Sequence, residues 1–299
     1  MTWFALATYK TASRADTPGV IVDGKLYEAK HVFAQGLAGV FADWPKAHAA
    51  VRQLGEDALA GKLRPAPERT DALTAPIRPT RIFCAAANYI EHANEMGTVL
   101  AGKAQSKPYM FLKLQDTVIG PGDDIIKPPE TAKLDWEVEL GVVIGRPARR
   151  IGVAQALDYV AGYTVVNDIS ARDLNTRTDY PFKFDWFQGK SWDSFAPLGP
   201  WIVPAWLIPD PQTLQLKLTV NGEVMQQDST TNMIWNVREQ VSYLWPILTL
   251  RPGDVIATGT PTGVGMASGT FLKEGDVMEA SIEEIGTLRN PVVFERGAS

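Results

Sequence analysis

Read at a period of two for strands and 3.6 for helices, the apolar and polar positions change character near residue 78. The first 78 residues predict a small α/β unit. Short strands fall at Trp3–Tyr9 and Gly19–Val22, with Asp23-Gly24 as a turn pair. A helix follows, with Asp43 at its N-cap, Pro45 in its first turn, and Ala50, Val51, Leu54 and Ala58 at helical spacing up to Gly61. From Leu63 through Pro65, Pro67, Glu68, Arg69, Pro76 and Pro79 the chain is proline-rich and aperiodic, as a linker or an extended crossing segment is. Residues 79–299 instead show short β-rich runs punctuated by Pro-Gly, Asn-Gly and Gly-Asp pairs. Strands are predicted at Glu137–Ile144, Tyr163–Asn167, Leu214–Val220, Glu223–Gln227, Val255–Gly259 and Val277–Ile282, and Asn221-Gly222 closes a hairpin between two of them. Two helices are expected here. One covers Val153–Val160 and ends at Gly162; the other starts after Asn232, carries Ile234, Val237, Val241 and Leu244 on one face, and stops at Trp245-Pro246. The fold class is α+β and mostly β: a mixed or antiparallel roll or barrel over 79–299, preceded by a small N-terminal α/β domain and linker over 1–78.

Composition narrows the partners. Lys and Arg total 29 against 34 Asp and Glu, a net charge of -5, so attraction to nucleic acid or to an anionic membrane has no support and a small-molecule partner is expected. The single cysteine, Cys84, cannot form an intramolecular disulfide, which fits a reducing compartment. No run reaches the roughly 18 apolar residues of a membrane-spanning helix. The stretch Met1–Lys10 has no basic region ahead of its apolar run and does not read as a signal peptide, so a cytoplasmic location is expected. His31, His48 and His92 with one cysteine are too few for a Cys/His zinc cage, and any metal is expected on carboxylates.

The most informative run is Asp135-Trp136-Glu137-Val138-Glu139-Leu140-Gly141-Val142-Val143-Ile144-Gly145. At a period of two, Trp136, Val138, Leu140, Val142 and Ile144 share one face, and Glu137, Glu139, Gly141 and Val143 share the other. Same-face neighbours lie roughly 6.5 to 7 Å apart at Cα, so both carboxylates can bend onto one hard cation. Without a cation, two like charges in a half-buried place repel and raise a pKa. Glu-x-Glu is also common on solvated strand faces, and alone it fits that account as well. A second acidic cluster, Asn167-Asp168-Ile169-Ser170-Ala171-Arg172-Asp173-Leu174-Asn175, follows an apolar strand, where a carboxylate serves as a ligand or closes an Asx-turn. Lys190, in Gly189-Lys190-Ser191, is a placed positive charge or a snorkelling surface lysine. The triplet lacks the upstream glycine of a phosphate loop, which argues against nucleotide binding there. His92 and Glu95 pair at i, i+3 if a helical turn forms after Asn88-Tyr89, and a carboxylate beside imidazole raises its basicity, as a general base for water requires. A surface pair of no consequence is the other reading. Thr258-Gly259-Thr260-Pro261-Thr262-Gly263-Val264-Gly265 offers backbone donors and hydroxyls to a carboxylate or enolate, or is simply a tight turn.

Taken in order, Asn88-Tyr89-x-x-His92, Glu137-x-Glu139, Asn167-Asp168-x-Ser170-Ala171-Arg172-Asp173, Gly189-Lys190-Ser191 and Gly259-Thr260-Pro261-x-Gly263-Val264-Gly265 resemble the fumarylacetoacetate hydrolase superfamily over residues 80 to 295. The resemblance implies a mixed β-roll catalytic domain, a homodimer, and one Mg²⁺ or Mn²⁺ per subunit with no organic cofactor. It implies Glu137, Glu139 and Asp168 as metal ligands, His92 with Glu95 as a catalytic dyad, and Lys190 facing the substrate beside the metal. Arg172, Asn175, Thr260 and Tyr89 are implied as substrate contacts. The expected reaction is metal-dependent hydrolysis of a C–C bond in a 2,4-diketo acid such as an acylpyruvate, a fumarylacetoacetate-like acid or a diketo-deoxy sugar acid. Decarboxylation or tautomerisation of a keto acid such as oxaloacetate needs the same ligands, and a non-catalytic member of the family is a third expectation. Three positions depart from the pattern. Asn175 stands where glutamine is usual, Ala86 where glycine is usual, and Ile82–Ile90 holds no further acidic ligand, so water would complete an octahedron. The aromatic insertion 176–187 would line the pocket or pack on a second subunit.

Overall fold

The computed structural model describes residues 3–67, 72–97 and 99–296; Met1-Thr2, the Glu68–Asp71 part of the expected linker and the last three residues lie outside the described residues. A large mixed sheet runs, neighbour by neighbour, through Lys25–Glu28, Asp16–Val22, Ala5–Lys10, Ala196–Pro204, Val160–Asn167, Val138–Ile144, Val255–Ala257, Ile82–Ala86 and Tyr109–Lys113. Along this path only Val255–Ala257 and Ile82–Ala86 pair in parallel. Leu6 pairs with Ile202, so the sheet crosses from the N-terminal segment into residues 79–299. A second sheet orders Glu223–Ser229, Gln215–Val220, Val277–Ile282, Gly286–Phe294 and Ile125–Lys127.

Alternation explains how the layers meet. Val138, Leu140 and Val142 from the large sheet, with Trp136 just ahead of them, share one core with Leu216, Leu218, Met278, Ala280 and Leu288 of the second. The other face of the large sheet carries Leu6, Val20, Val143, Val166 and Val255, and helix Trp44–Leu59 covers it with Trp44, Val51, Leu54 and Ala58. Every residue of Val138–Ile144 is therefore buried. The two faces divide as the period of two predicts, but neither faces water.

The predicted strands form with small shifts in their ends, and Val277–Ile282 keeps its predicted bounds. The hairpin between Gln215–Val220 and Glu223–Ser229 turns at Asn221 and Gly222, whose φ values of 52° and 84° need residues that tolerate the left-handed region. Helices differ more. Val153–Tyr159 is a 3-10 helix that leads directly into strand Val160–Asn167. Gly162, read as a helix stop, lies inside that strand, where a Cβ would come 2.4 Å from the Val203 carbonyl oxygen; close strand approach selects glycine there. The second helix spans Val237–Leu244 and is capped by Asn236, which accepts from Glu239 N at 2.9 Å while Glu239 accepts from Asn236 N at 2.8 Å. In helix Trp44–Leu59, Trp44 is buried and Ala50 exposed, so the covering face is rotated from the expected one. Helices Gly36–Ala42, Trp186–Lys190 and Gly265–Ser268 escape the expectation because each is too short to show periodicity, whereas Ile90–Glu95 is the helical turn considered after Asn88-Tyr89. No helix among the described residues is long and apolar enough to cross a membrane.

Candidate active site

Pairing of Val138 with Asn167 brings the start of one strand beside the end of its neighbour. Asp168 N donates to the Glu137 carbonyl at 2.9 Å, and Glu137 N donates to Asn167 Oδ1 at 2.9 Å, so the two corners lock together. Glu137, Glu139 and Asp168 consequently converge with ligand oxygens within 4.8 Å of one another, all three buried. The solvated-face account of Glu-x-Glu does not hold.

Three buried cations face these acids. Lys190, at the end of the short helix that Asp185 caps through Gln188 N, places Nζ 2.7 Å from Glu137 Oε2 and 2.8 Å from Asp168 Oδ2. Lys113, the last residue of the edge strand, ion-pairs with Asp168 Oδ1 and donates to the Ile169 carbonyl at 2.9 Å. Arg172 sits with Nη2 2.6 Å from Glu137 Oε1 and donates from Nε to Asp135 Oδ2 at 2.7 Å. Asp135 is itself buried and accepts from Gly265 N at 2.6 Å and Met266 N at 2.9 Å. Four carboxylates thus oppose three cationic side chains, which leaves a surplus of negative charge.

The surplus settles on Glu139. Burial and repulsion from Asp168 and Glu137 push its carboxyl well above the usual carboxylate range, against the hydrogen bond it accepts from Gly259 N at 2.8 Å. Glu137 goes the other way. Burial pushes it up, but Lys190, Arg172 and His92 overcome that and bring it down to about 2. Lys190 is held above its ordinary value by Asp168 and Glu137 in spite of burial, whereas burial lowers Lys113 in spite of Asp168. A surplus of buried negative charge with all-oxygen donors is the chemistry that a hard divalent cation such as Mg²⁺ or Mn²⁺ fits, and these three carboxylates would hold it.

His92 and Glu95 do lie on one helical turn, Ile90–Glu95, with His92 Nδ1 2.9 Å from Glu95 Oε1. Gly263 N donates to both Glu95 oxygens, at 3.1 and 3.0 Å, and so sets the carboxylate that orients the ring. Gly263 has φ 95°, and a Cβ there would lie 1.9 Å from the Met225 carbonyl oxygen, so the glycine-rich turn needs glycine at this point.

The expected substrate contacts are arranged less openly. The two Arg172 nitrogens described above face Asp135 and Glu137. Thr260 donates to the Val138 carbonyl at 2.9 Å and accepts from Gln226 Nε2 at 2.9 Å, so its hydroxyl fastens the turn to the ligand strand. Tyr89 and Asn175 do keep polar atoms, Oη and Oδ1, that are buried with no hydrogen-bond partner among the described residues. Asn175 Oδ1 is pressed against Gly189, where a Cβ would come within 1.3 Å of it. Lys113, Asp135 and Gln226 join the site without having stood out as candidates in the sequence. Asp135 has the parity of Glu137 and Glu139, a signal that could have found it; Lys113 and Gln226 arrive from other strands and leave no local trace.

The family model for the fumarylacetoacetate (FAA) hydrolase C-terminal region matches residues 81–293, which include all the acids and cations just described. The chain belongs to the fumarylacetoacetate hydrolase family. Oxaloacetate tautomerase Fahd2a, mitochondrial, of Rattus norvegicus is 39% identical over 239 residues, 79% of this chain and 74% of that protein. Among solved structures, the fumarylacetoacetate hydrolase of the psychrophilic Exiguobacterium antarcticum is 33% identical, with a TM-score of 0.81 over 98% of this chain and 100% of that one. A maleylpyruvate hydrolase from Sphingobium sp. SYK-6, solved with manganese(II) and pyruvate, is 25% identical with a TM-score of 0.79, covering 98% of this chain and 100% of that one. The fumarylacetoacetate hydrolase fold thus carries enzymes named for hydrolysis and for tautomerisation.

Proposed function

We propose that the chain is a divalent-cation-dependent enzyme that forms and reprotonates the enolate of a small 2-oxo acid, with keto–enol interconversion of an oxaloacetate-type acid as its reaction. The observation that carries this reading is that one turn ties the two parts of the site together: Gly259 N donates to the triad's Glu139 at 2.8 Å, and Gly263 N donates to the Glu95 carboxylate that pairs with His92. A cation held by Glu137, Glu139 and Asp168 would supply Lewis acidity that makes the C–H beside a bound carbonyl acidic. His92 turns Nδ1 to Glu95, so Nε2 is the atom that takes the proton and returns it. Glu95 keeps the ring oriented and stabilises the imidazolium while the proton is held. Lys190 is the ammonium that contacts two of the three triad carboxylates and is suited to the charge that develops on the enolate oxygen in a site closed to water. The likeness to the rat oxaloacetate tautomerase supports this reading.

Hydrolysis of a C–C bond in a 2,4-diketo acid is the second reading, and the likeness to the Sphingobium maleylpyruvate hydrolase favours it. The same Nε2 would then deprotonate water. Metal-stripped protein given oxaloacetate or acetylpyruvate, before and after Mg²⁺ or Mn²⁺, separates the two. The expected result is cation-dependent acceleration of oxaloacetate ketonisation, read from enol absorbance, with no carbon–carbon bond broken. Cation-dependent release of pyruvate and acetate from acetylpyruvate, without that acceleration, would replace the first reading by the second. Inertness on both with bound metal would make the chain a non-catalytic member.

Two copies are proposed to pair through the edge of the large sheet. Among the described residues Tyr109–Lys113 has a neighbour on one side only, and Tyr109 and Leu112 are exposed. The 176–187 insertion lies against this edge, with Trp186 stacked on Phe111 at 4.9 Å between ring centroids and Phe184 and Phe187 exposed. A dimer by sedimentation, and a monomer for Leu112→Lys, are the expected outcomes.

A further inference from the structure

Two lysines share one aspartate, and their second partners differ in kind. Lys113 pairs with Asp168 Oδ1, and its other bond goes to the backbone carbonyl of Ile169, outside the triad. Lys190 has carboxylate oxygens of two candidate ligands, Glu137 Oε2 at 2.7 Å and Asp168 Oδ2 at 2.8 Å. Its ammonium therefore bridges two of the three carboxylates that would hold a divalent cation. Two positive centres on the same pair of oxygens repel far more strongly in a desolvated pocket than in water, which favours one of them giving way. Lys113 differs in taking only the other oxygen of Asp168, so it does not bridge two of the acids. The Phe111 ring already lies 5.4 Å from Lys190 Nζ, within cation–π range, and can remain a partner as the four-carbon stem swings without moving the backbone.

From this contrast we infer that Lys190 is the exchangeable counter-ion of the triad and Lys113 the fixed one. Lys190 leaves Glu137 Oε2 and Asp168 Oδ2 when a divalent cation binds, and only then is its ammonium free to meet a substrate oxygen. Lys113 keeps Asp168 Oδ1 throughout and acts as a positioning residue for that carboxylate. The inference rests on the cation reading of Glu137, Glu139 and Asp168. It adds an order of events: the cation enters first, and its entry deploys the lysine.

Calorimetric titration of Mn²⁺ or Mg²⁺ alone into the full, chelator-treated chain tests it without any turnover. Lys190→Met is expected to bind the ion about tenfold more tightly than the parent, the size of a typical coupling between two sites. Lys113→Met is expected to bind it no more tightly than the parent. An unchanged or weaker affinity for Lys190→Met overturns the exchange. Equal tightening in both variants overturns it too, because loss of any nearby positive charge would then explain the gain. If the parent binds neither ion, the cation reading itself falls, and the inference with it. Because a buried lysine variant can misfold, the parent chain supplies an independent readout: reductive methylation mapped by mass spectrometry. Lys190 is expected to be modified several-fold faster once Mn²⁺ is bound, with Lys113 unchanged. Equal Lys190 labelling with and without the ion overturns the proposal.

Discussion

One face of a single strand line carries Glu137, Glu139, Gly141, Val143 and Gly145, and its two ends are buried by opposite means. At the Gly145 end the indole of Trp44 lies so close that a Cβ on the glycine would come within 2.5 Å of it, and Val51 and Leu54 extend the apolar cover. At the Glu137 end, about eight residues and roughly 26 Å away along an extended strand, three carboxylates are covered by two lysines and an arginine. Apolar burial stabilises the fold as water is released. Charge burial costs desolvation and is tolerated only while every charge keeps a partner. The apolar end therefore serves stability, and the charged end is retained for chemistry.

Breaking each end should show this division. Asp168→Asn takes the partner from both lysines at once; loss of one member of a buried ion-pair network costs about 3 to 5 kcal/mol, so the melting temperature should fall and calorimetric Mn²⁺ binding should disappear. Retained Mn²⁺ binding would remove Asp168 from the ligand set. His92→Ala should lower turnover by roughly 10² to 10⁴ with Mn²⁺ affinity unchanged, because the ring acts on substrate and not on the ion. Turnover equal to the parent's would take the proton-transfer role away from the dyad. Leu54→Ala, at the apolar end, should cost about 2 to 4 kcal/mol in denaturant unfolding and leave Mn²⁺ affinity within about twofold. A large loss of ion affinity there would show that the ends are coupled and spoil the comparison.

The smallest effect concerns His48, which sits edge-on to Trp206 at 4.4 Å between ring centroids beside the Trp44 layer. Partial burial lowers its pKa below the ordinary 6.5, with Arg52 and Arg146 adding to the shift. The unfolded chain therefore takes up the proton first as pH falls, so stability drops as pH goes from about 6.5 down through the folded value. His48→Gln should flatten that slope slightly in melting curves taken between about pH 7 and 5, and an identical slope would leave His48 without a part in it.

Much of the strand framework was legible because alternation and turn chemistry act over a few residues. Asn221-Gly222 and Asp23-Gly24 turn their hairpins at positive φ, as their residue types allow. Gly162 misled for the same reason: a glycine demanded by a neighbouring strand looks, in one dimension, like a glycine that ends a helix. The triad was legible as a set of residue types and a shared face. Its cations were legible in part, with Lys190 and Arg172 found beside their motifs. Lys113 was not, because it comes from a strand whose place depends on Ile82–Ala86 pairing in parallel with Val255–Ala257, far along the chain.

What this sequence determined alone is local: which side chains share a face, where the chain turns, and that Glu137 and Glu139 project together. Whether that face meets water or a second layer is a matter of which strands and helices cover it. The tertiary structure decided that the acids are buried, that Glu139 is pushed up while Glu137 is pushed down, and that two lysines take opposite oxygens of Asp168. The physical reason is range. Backbone preference and periodicity are set by near neighbours, whereas desolvation and charge pairing depend on groups that meet only when distant segments pack.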